Sequence, residues 1–258
     1  MTLRQAGRLL LTLAGLLLIW QGIVTLGELP PYLLPDPQAV MARFWRDAGL
    51  LLSHAGVTAL EIVLGMFCGT LLGCASALAL SYSRRARRWL LPVLIASQAI
   101  PVFAIAPLLV LWLGYGLASK IAMATLIIYF PVTANFYDGL RHTPHGWLDL
   151  ARVMAPAGRR WAVLRQIVIP AALPALGSGL RVAAAVAPIG AVLGEWVGSS
   201  AGLGYLMLHA NSRMQIDLLF AALLTLAALA VGLYFSVDAS LKRLLPWHSP
   251  NPENLDLD

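Results

Sequence analysis

Six helices crossing a lipid bilayer, with no soluble domain, is the architecture encoded by this sequence of 258 residues. Three observations point to it. Hydrophobic residues make up 59% of the chain and charged residues 12%, roughly half the charge fraction of a soluble domain. So little polar surface could not cover a water-soluble globule. Six stretches are long and apolar enough to span, near 9–26, 55–80, 90–113, 117–137, 173–197 and 218–240, given that crossing takes about 20 helical residues. The basic residues, finally, cluster between those stretches in alternation.

The first stretch follows Arg4 and Arg8, as in a signal peptide. Its length, and the absence of a small-x-small site in Gly27-Glu28-Leu29-Pro30, predict an uncleaved first span instead. Backbone polar groups in lipid must be satisfied within their own segment, so all six are helices. The alternating pattern of a β-barrel is absent. With a cytoplasmic N-terminus, the inner loops hold Arg4, Arg8, Arg84, Arg85, Arg87, Arg88, Arg141, Arg152, Arg159, Arg160, Arg165, Lys242 and Arg243. The outer loops hold Arg43, Arg46, Lys120 and Arg213. That asymmetry places both termini in the cytoplasm. It also accounts for the net charge of +6 without nucleic acid. The membrane-spanning body runs over 1–248, and 249–258, with Pro250, Pro252 and alternating acids, reads as a disordered cytoplasmic tail.

Within the second span, Gly65, Gly69, Gly73 and Ala77 recur every four residues, and Gly190, Gly194 and Gly198 repeat the pattern in the fifth. Such strips let helices approach closely. Ordinary packing within one chain is the simpler reading, a subunit interface or sliding gate the alternative. Cys68 and Cys74, six apart, lie on different faces of one helix and read as small packing residues. Prolines interrupt the spans at Pro92, Pro101, Pro107, Pro131 and Pro188. Three in one span suggest a conduit wall or gate, because broken helices at membrane depth line cavities or lie buried in protein. Glu61, Arg181 and Glu195 are charges inside spans and must face protein or water. Arg181 and Glu195 are too far apart along one helix to pair, and a structural role, such as capping a neighbouring helix, outweighs substrate contact for both. Pro101, Pro107, Arg181, Pro188 and Glu195 are the candidates for a translocation path or gate.

Segment 138–172 is the longest non-spanning stretch. It reads as a short amphipathic helix, a turn near Pro156–Gly158 and a second helix ending at Pro170. Leu148, Ala151 and Met154 share one small apolar face, suited to a groove on a soluble partner.

This segment resembles the coupling element of binding-protein-dependent ABC importer permeases: acidic-Ala-Ala, three residues, Gly, nine residues, then Ile-x-Leu-Pro. Asp149, Leu150 and Ala151 stand at the first positions and Ile167-Val168-Ile169-Pro170 at the last. Ala155 occupies the Gly position, Gly158 comes three residues late, and the segment is two residues longer than the pattern. The resemblance covers the chain from about residue 53. It is closest to the nitrate/sulfonate/taurine-type permeases, and within them to the branch for hydroxymethylpyrimidine and related thiamine precursors, through the stretches 172–184 and 194–215.

The resemblance implies a type I importer permease fold in a bacterial inner membrane, working as a homodimer. It implies two separate ATPase subunits and a periplasmic or lipid-anchored substrate-binding protein as partners. Asp149, Leu150, Ala151, Arg152, Met154, Ala155, Gly158, Ile167 and Pro170 would then couple to the ATPase. The glycine-rich outer segment 199–215, through Leu203, Tyr205 and Leu206, is predicted to meet the binding protein. ATP would be bound by the partner, since the chain has no GxxxxGK[ST] loop, and no cofactor or metal is expected. The cargo alternatives are taurine, an alkanesulfonate or nitrate. An ion-coupled secondary transporter is the rival class, distinguished by uptake that collapses with an ion gradient. An enzyme is disfavoured because the five histidines are scattered.

Overall fold

The computed structural model describes residues 3–144, 146–149 and 160–247, and among them every regular element is a helix. In chain order these are α1 (Leu3–Leu26), α2 (Pro37–Arg46), α3 (Ala48–Tyr82), α4 (Arg84–Ala99), α5 (Val102–Leu113), α6 (Leu117–Arg141), α7 (Arg160–Val163), α8 (Ile169–Gly198), α9 (Leu203–Ser212) and α10 (Ile216–Leu244). A π-helical turn, Leu164–Val168, joins α7 to α8, so Trp161–Gly198 is one helical run of 38 residues.

Local chemistry sets the boundaries. Asp36 caps α2, its carboxylate accepting from Gln38 N at 3.3 Å, with Pro37 in the first helical position. Ser83 separates α3 from α4, and its hydroxyl accepts from Ala86 N at 3.2 Å. Gly114 ends α5 at φ 81°, a left-handed conformation that glycine adopts without strain.

The centre of the bundle is α6, with α3 on one side and α8 on the other. A Cβ at Gly69 would stand 2.7 Å from Ile128 Cγ2, and one at Gly73 2.8 Å from Val132 Cγ1. A Cβ at Gly65 would overlap that of Ala124. From the opposite side, a Cβ at Gly190 would lie 2.7 Å from Ala124 Cα, and one at Gly179 2.8 Å from Pro131 O. Both glycine strips foreseen in the sequence therefore serve packing within one chain. Ile62, Ala124, Ile128, Val132, Ala183, Ala187 and Ala191 fill the centre. A second cluster, around Leu80, Phe136 and Leu140, closes one end. A third, with Val40, Leu51, Leu203 and Leu206, closes the other.

The predicted third span, 90–113, differs. It is a pair of helices, α4 and α5, meeting at an angle of 104°. Ile100 is extended at φ −90°, ψ 117° and Pro101 opens α5. A residue before proline is driven out of the helical region, and proline has no N–H to continue the ladder. By contrast, Pro92, Pro107, Pro131, Pro174 and Pro188 all sit inside continuing helices. Among the described residues, four helical runs (α3, α6, Trp161–Gly198 and α10) are long and apolar enough to cross a membrane unbroken, and the bent pair makes a fifth if it crosses as one. The first predicted span is α1, whose apolar stretch is Leu11–Leu26. It is tied to the bundle chiefly by Trp20, which donates to Pro35 O at 3.1 Å and lies 5.7 Å from Phe220, ring to ring.

Because the backbone of Ala124 cannot give way, Gly190→Leu should overpack the centre and cost about 1–3 kcal/mol. Gly232→Leu, where nothing lies within 4 Å, should change stability by less than about 0.5 kcal/mol. Denaturation of the two variants in detergent micelles checks the contrast.

Candidate functional site

Three side chains of α3, His54, Thr58 and Glu61, fall at spacings of four and three and so project from one face of the helix. They meet Lys120 in the first turn of α6 and Glu195 near the end of α8. Thr58, Glu61, Lys120 and Glu195 are all buried. Charges so placed need partners, and each has one. Lys120 Nζ lies 2.8 Å from Glu61 Oε1. Thr58 Oγ1 donates to Glu195 Oε1 at 2.6 Å. Gly194 makes room for the lysine, since a Cβ there would be 3.1 Å from Lys120 Cα.

Glu195 finds its compensation in a backbone. Helix α9 begins beside it, and the first amides of a helix lack partners and carry a partial positive charge. Gly204 N donates to Glu195 Oε2 at 2.5 Å and Tyr205 N at 3.4 Å. Leu203 N donates to Thr58 Oγ1 at 2.8 Å, and Gly202 N to His54 Nδ1 at 3.0 Å. Four consecutive amides are thus taken by three side chains from two other helices. Gly202 is required here: its φ is 111°, and a Cβ would overlap the Glu195 carboxylate. Tyr205 stacks between His54 and His209, with centroids 6.1 Å and 5.5 Å away.

At the other end of the bundle, Arg181 Nε meets Asp238 Oδ1 at 2.7 Å, and Lys242 Nζ meets Asp238 Oδ2 at 2.7 Å. The first pair ties α8 to α10, and the second lies within α10. Arg181, near the middle of α8, and Glu195, near its end, accordingly have separate partners.

Of the other path candidates, Pro101 stands at the bend, Pro107 lies within α5 and Pro188 is buried within α8. Among the coupling residues, Asp149 is the last described residue of a helical stretch at 146–149. Ile167 and Pro170 line a cavity of about 850 Å³ together with Trp147, Gln166 and Trp247. Leu150, Ala151, Arg152, Met154, Ala155 and Gly158 lie outside the described residues. The predicted docking trio divides. Leu203 and Leu206 are 0% and 4% exposed, packed against Val40 and Leu51, and present no face to a partner. Tyr205 is half-buried. Leucines at the start of a short helix are drawn into the nearest core, which their position in a glycine-rich segment did not reveal.

Sequence reasoning missed Lys120, taken for a loop charge, and Asp238, the partner of Arg181. It also missed Thr58 and His54, although the 54–58–61 polar stripe on an otherwise apolar helix was a signal that could have found them.

Known proteins place these features in context. The profile of the family described as "Binding-protein-dependent transport system inner membrane component" matches residues 65–248. A "Probable ABC transporter permease protein" of Haemophilus influenzae is 60% identical, covering 92% of this chain and 96% of its own. The "Riboflavin transport system permease protein RibX" of Chloroflexus aurantiacus is 40% identical over 92% of this chain and 89% of its own. The "Formylaminopyrimidine transport permease protein ThiX" of Halalkalibacterium halodurans is 35% identical over 90% and 92%. In fold, the chain is similar to the MetNI methionine ABC transporter in an inward-facing conformation, with a TM-score of 0.66 at 18% identity, covering 77% of this chain and 98% of that one.

Removing one partner of a buried pair strands the other. Lys120→Met should therefore cost about 3–5 kcal/mol, and Lys120→Met with Glu61→Leu should recover most of it. Glu195→Ala should cost about 1–3 kcal/mol through the orphaned amides of α9, and Glu195→Gln less. Double-mutant denaturation in micelles reads both.

Proposed function

Because the chain belongs to the family of inner membrane components of binding-protein-dependent transport systems, we propose that it carries a pyrimidine precursor of thiamine inward, coupled to ATP hydrolysis on a separate subunit. It works as a homodimer in a bacterial inner membrane, with two ATPases on the cytoplasmic side and a substrate-binding protein outside. Residues 147–170 form the cytoplasmic handle, and both termini lie on that side. The end of the bundle that holds Glu195 and α9 faces outward.

The observation that carries this reading is the unbroken run Trp161–Gly198. At ~1.5 Å per residue it is roughly 57 Å long, enough to cross the membrane from the handle to the Glu195 cap. A displacement at the handle need not be relayed through side chains. It moves one rigid helix, and α9 follows because its first amides are held by α8 and α3. The π turn Leu164–Val168 sits where handle and lever join, the position at which a helix can absorb a change of angle. Closure of an ATPase dimer, pulling the handle, would rock α8 and with it the outer face.

For the cargo, support comes from the two relatives named for a formylaminopyrimidine and for riboflavin, both similar along most of their length. Those two compounds share a pyrimidine ring. A flavin is the second reading, favoured by the higher identity of the riboflavin permease. Selection rests mainly with the binding protein, so few residues here need contact the cargo.

Two measurements test the proposal. Calorimetry on the substrate-binding protein should show tight binding of hydroxymethylpyrimidine or formylaminopyrimidine and none of taurine; the reverse result rejects the cargo. Asp149→Arg or Ala151→Asp should leave the protein in the membrane yet abolish uptake and the stimulation of ATP hydrolysis by loaded binding protein. Normal uptake by both variants rejects the handle.

A further inference from the structure

Between Leu90 and Leu111 the chain has two hydrogen-bonding side chains, Ser97 and Gln98, set side by side in an otherwise apolar stretch. The structure puts both at the bend between α4 and α5. Ser97 Oγ donates to Leu94 O at 2.7 Å and is thereby tied to its own helix. Gln98 Nε2 donates to Ser97 Oγ at 3.4 Å, which leaves Oε1 and the second amide hydrogen for another partner. The last carbonyls of α4 stand beside them. A helix end leaves these without intrahelical donors, and Pro101 withholds one more. Gln98 and the residues through Pro101 are exposed. If this edge faced hydrocarbon, an amide and several carbonyls would lie unsatisfied in lipid, at several kilocalories each. The edge therefore faces water or a polar molecule.

The bend also encloses a notch of about 150 Å³, its walls including Leu94, Ile105, Leu126 and Tyr129, with Ser97 and Gln98 at its rim. The Tyr129 hydroxyl is committed to Ser76, 2.8 Å away, and Ser97 to Leu94 O, so among the mostly apolar lining side chains Gln98 keeps hydrogen-bonding capacity to spare. A cavity of this volume holds one six-membered aromatic ring. It is small for a fused three-ring flavin. A primary amide offers a donor and an acceptor side by side, which matches the N–C–NH₂ or N–C=O edge of a pyrimidine.

We propose that this notch is a cargo contact on the translocation path, which takes a single pyrimidine ring in transit, and that Gln98 reads the ring's donor–acceptor edge. The proposal rests on the pyrimidine reading above and adds to it the residue that discriminates inside the membrane. The amide discriminates because a site built to hydrogen-bond a ring disfavours molecules that leave its own groups unpaired. It remains a weak contact, since cargo must leave as readily as it enters.

The test uses the permease reconstituted in proteoliposomes with its ATPase and binding protein. Gln98→Leu should slow uptake of hydroxymethylpyrimidine about tenfold, the loss expected from one or two hydrogen bonds, with Gln98→Asn falling between it and the parent. With Cys68 and Cys74 replaced by alanine, Gln98→Cys should react with a water-soluble maleimide, and pyrimidine during turnover should slow that reaction. Uptake by Gln98→Leu equal to the parent overturns the proposal. So does a cysteine at 98 that stays unlabelled, as a lipid-facing residue would, or that crosslinks to its copy in the dimer without pyrimidine effect, as a subunit contact would. Should the leucine variant fail to assemble, the labelling result decides alone. Affinity of the isolated binding protein separates the two readings. If it binds no monocyclic pyrimidine, the cargo reading falls and the ring subsite with it. If it binds one, yet pyrimidine neither protects position 98 nor depends on it for uptake, the notch alone is wrong.

Discussion

Helix α6 lies wedged between two glycine strips, and the remaining architecture depends on that contact. In lipid there is no hydrophobic gain from bringing apolar helices together, since the acyl chains are as apolar as leucine side chains. Association must come from close contact, which requires backbones to approach to distances that a β-carbon forbids. Gly65, Gly69 and Gly73 from α3 and Gly179 and Gly190 from α8 allow this along nearly the whole of α6. The result is a three-helix slab with little freedom to shear, since each ridge sits in a slot only one residue wide.

Upon that slab, the charges within the membrane are arranged as local settlements. Lys120 answers Glu61, Asp238 answers Arg181, and the amides of α9 answer Glu195. The first two join helices distant in sequence, α3 to α6 and α8 to α10, and the third fixes the turn between the successive helices α8 and α9. Buried pairs of this kind contribute little net stability over well-packed apolar residues, because desolvation offsets attraction. Their effect is positional. The Glu195 cap in particular means that α9 cannot turn independently of α8 without freeing the amides of Gly204 and Tyr205, and the amides of Gly202 and Leu203 tie it to α3 in the same way.

The bent pair α4–α5 is made differently. It touches the slab along one side and presents an exposed, proline-broken edge on the other. A rigid slab carrying a lever, beside a broken helix whose free carbonyls need a polar neighbour, is a reasonable division of labour for a path that must open and close. In the proposed cycle the lever transmits force and the broken element touches what passes.

Much of this was legible in the chain itself. Hydropathy marked the four unbroken apolar runs, α3, α6, Trp161–Gly198 and α10, because a bilayer's thickness imposes a minimum apolar length, and a linear sequence records length. The glycine strips were visible because helical periodicity alone determines which residues share a face. What needed the fold was every fact about partners. Nothing in the linear order says that Lys120 reaches Glu61, or that Glu195 caps a helix starting eight residues later while sharing Thr58 with it. Nor does it say which of several prolines bends its helix by 104° and which are absorbed. Local periodicity determines what a residue can face. Which helix comes to lie there is decided by packing among segments far apart in the chain, and that becomes definite only when the bundle is assembled.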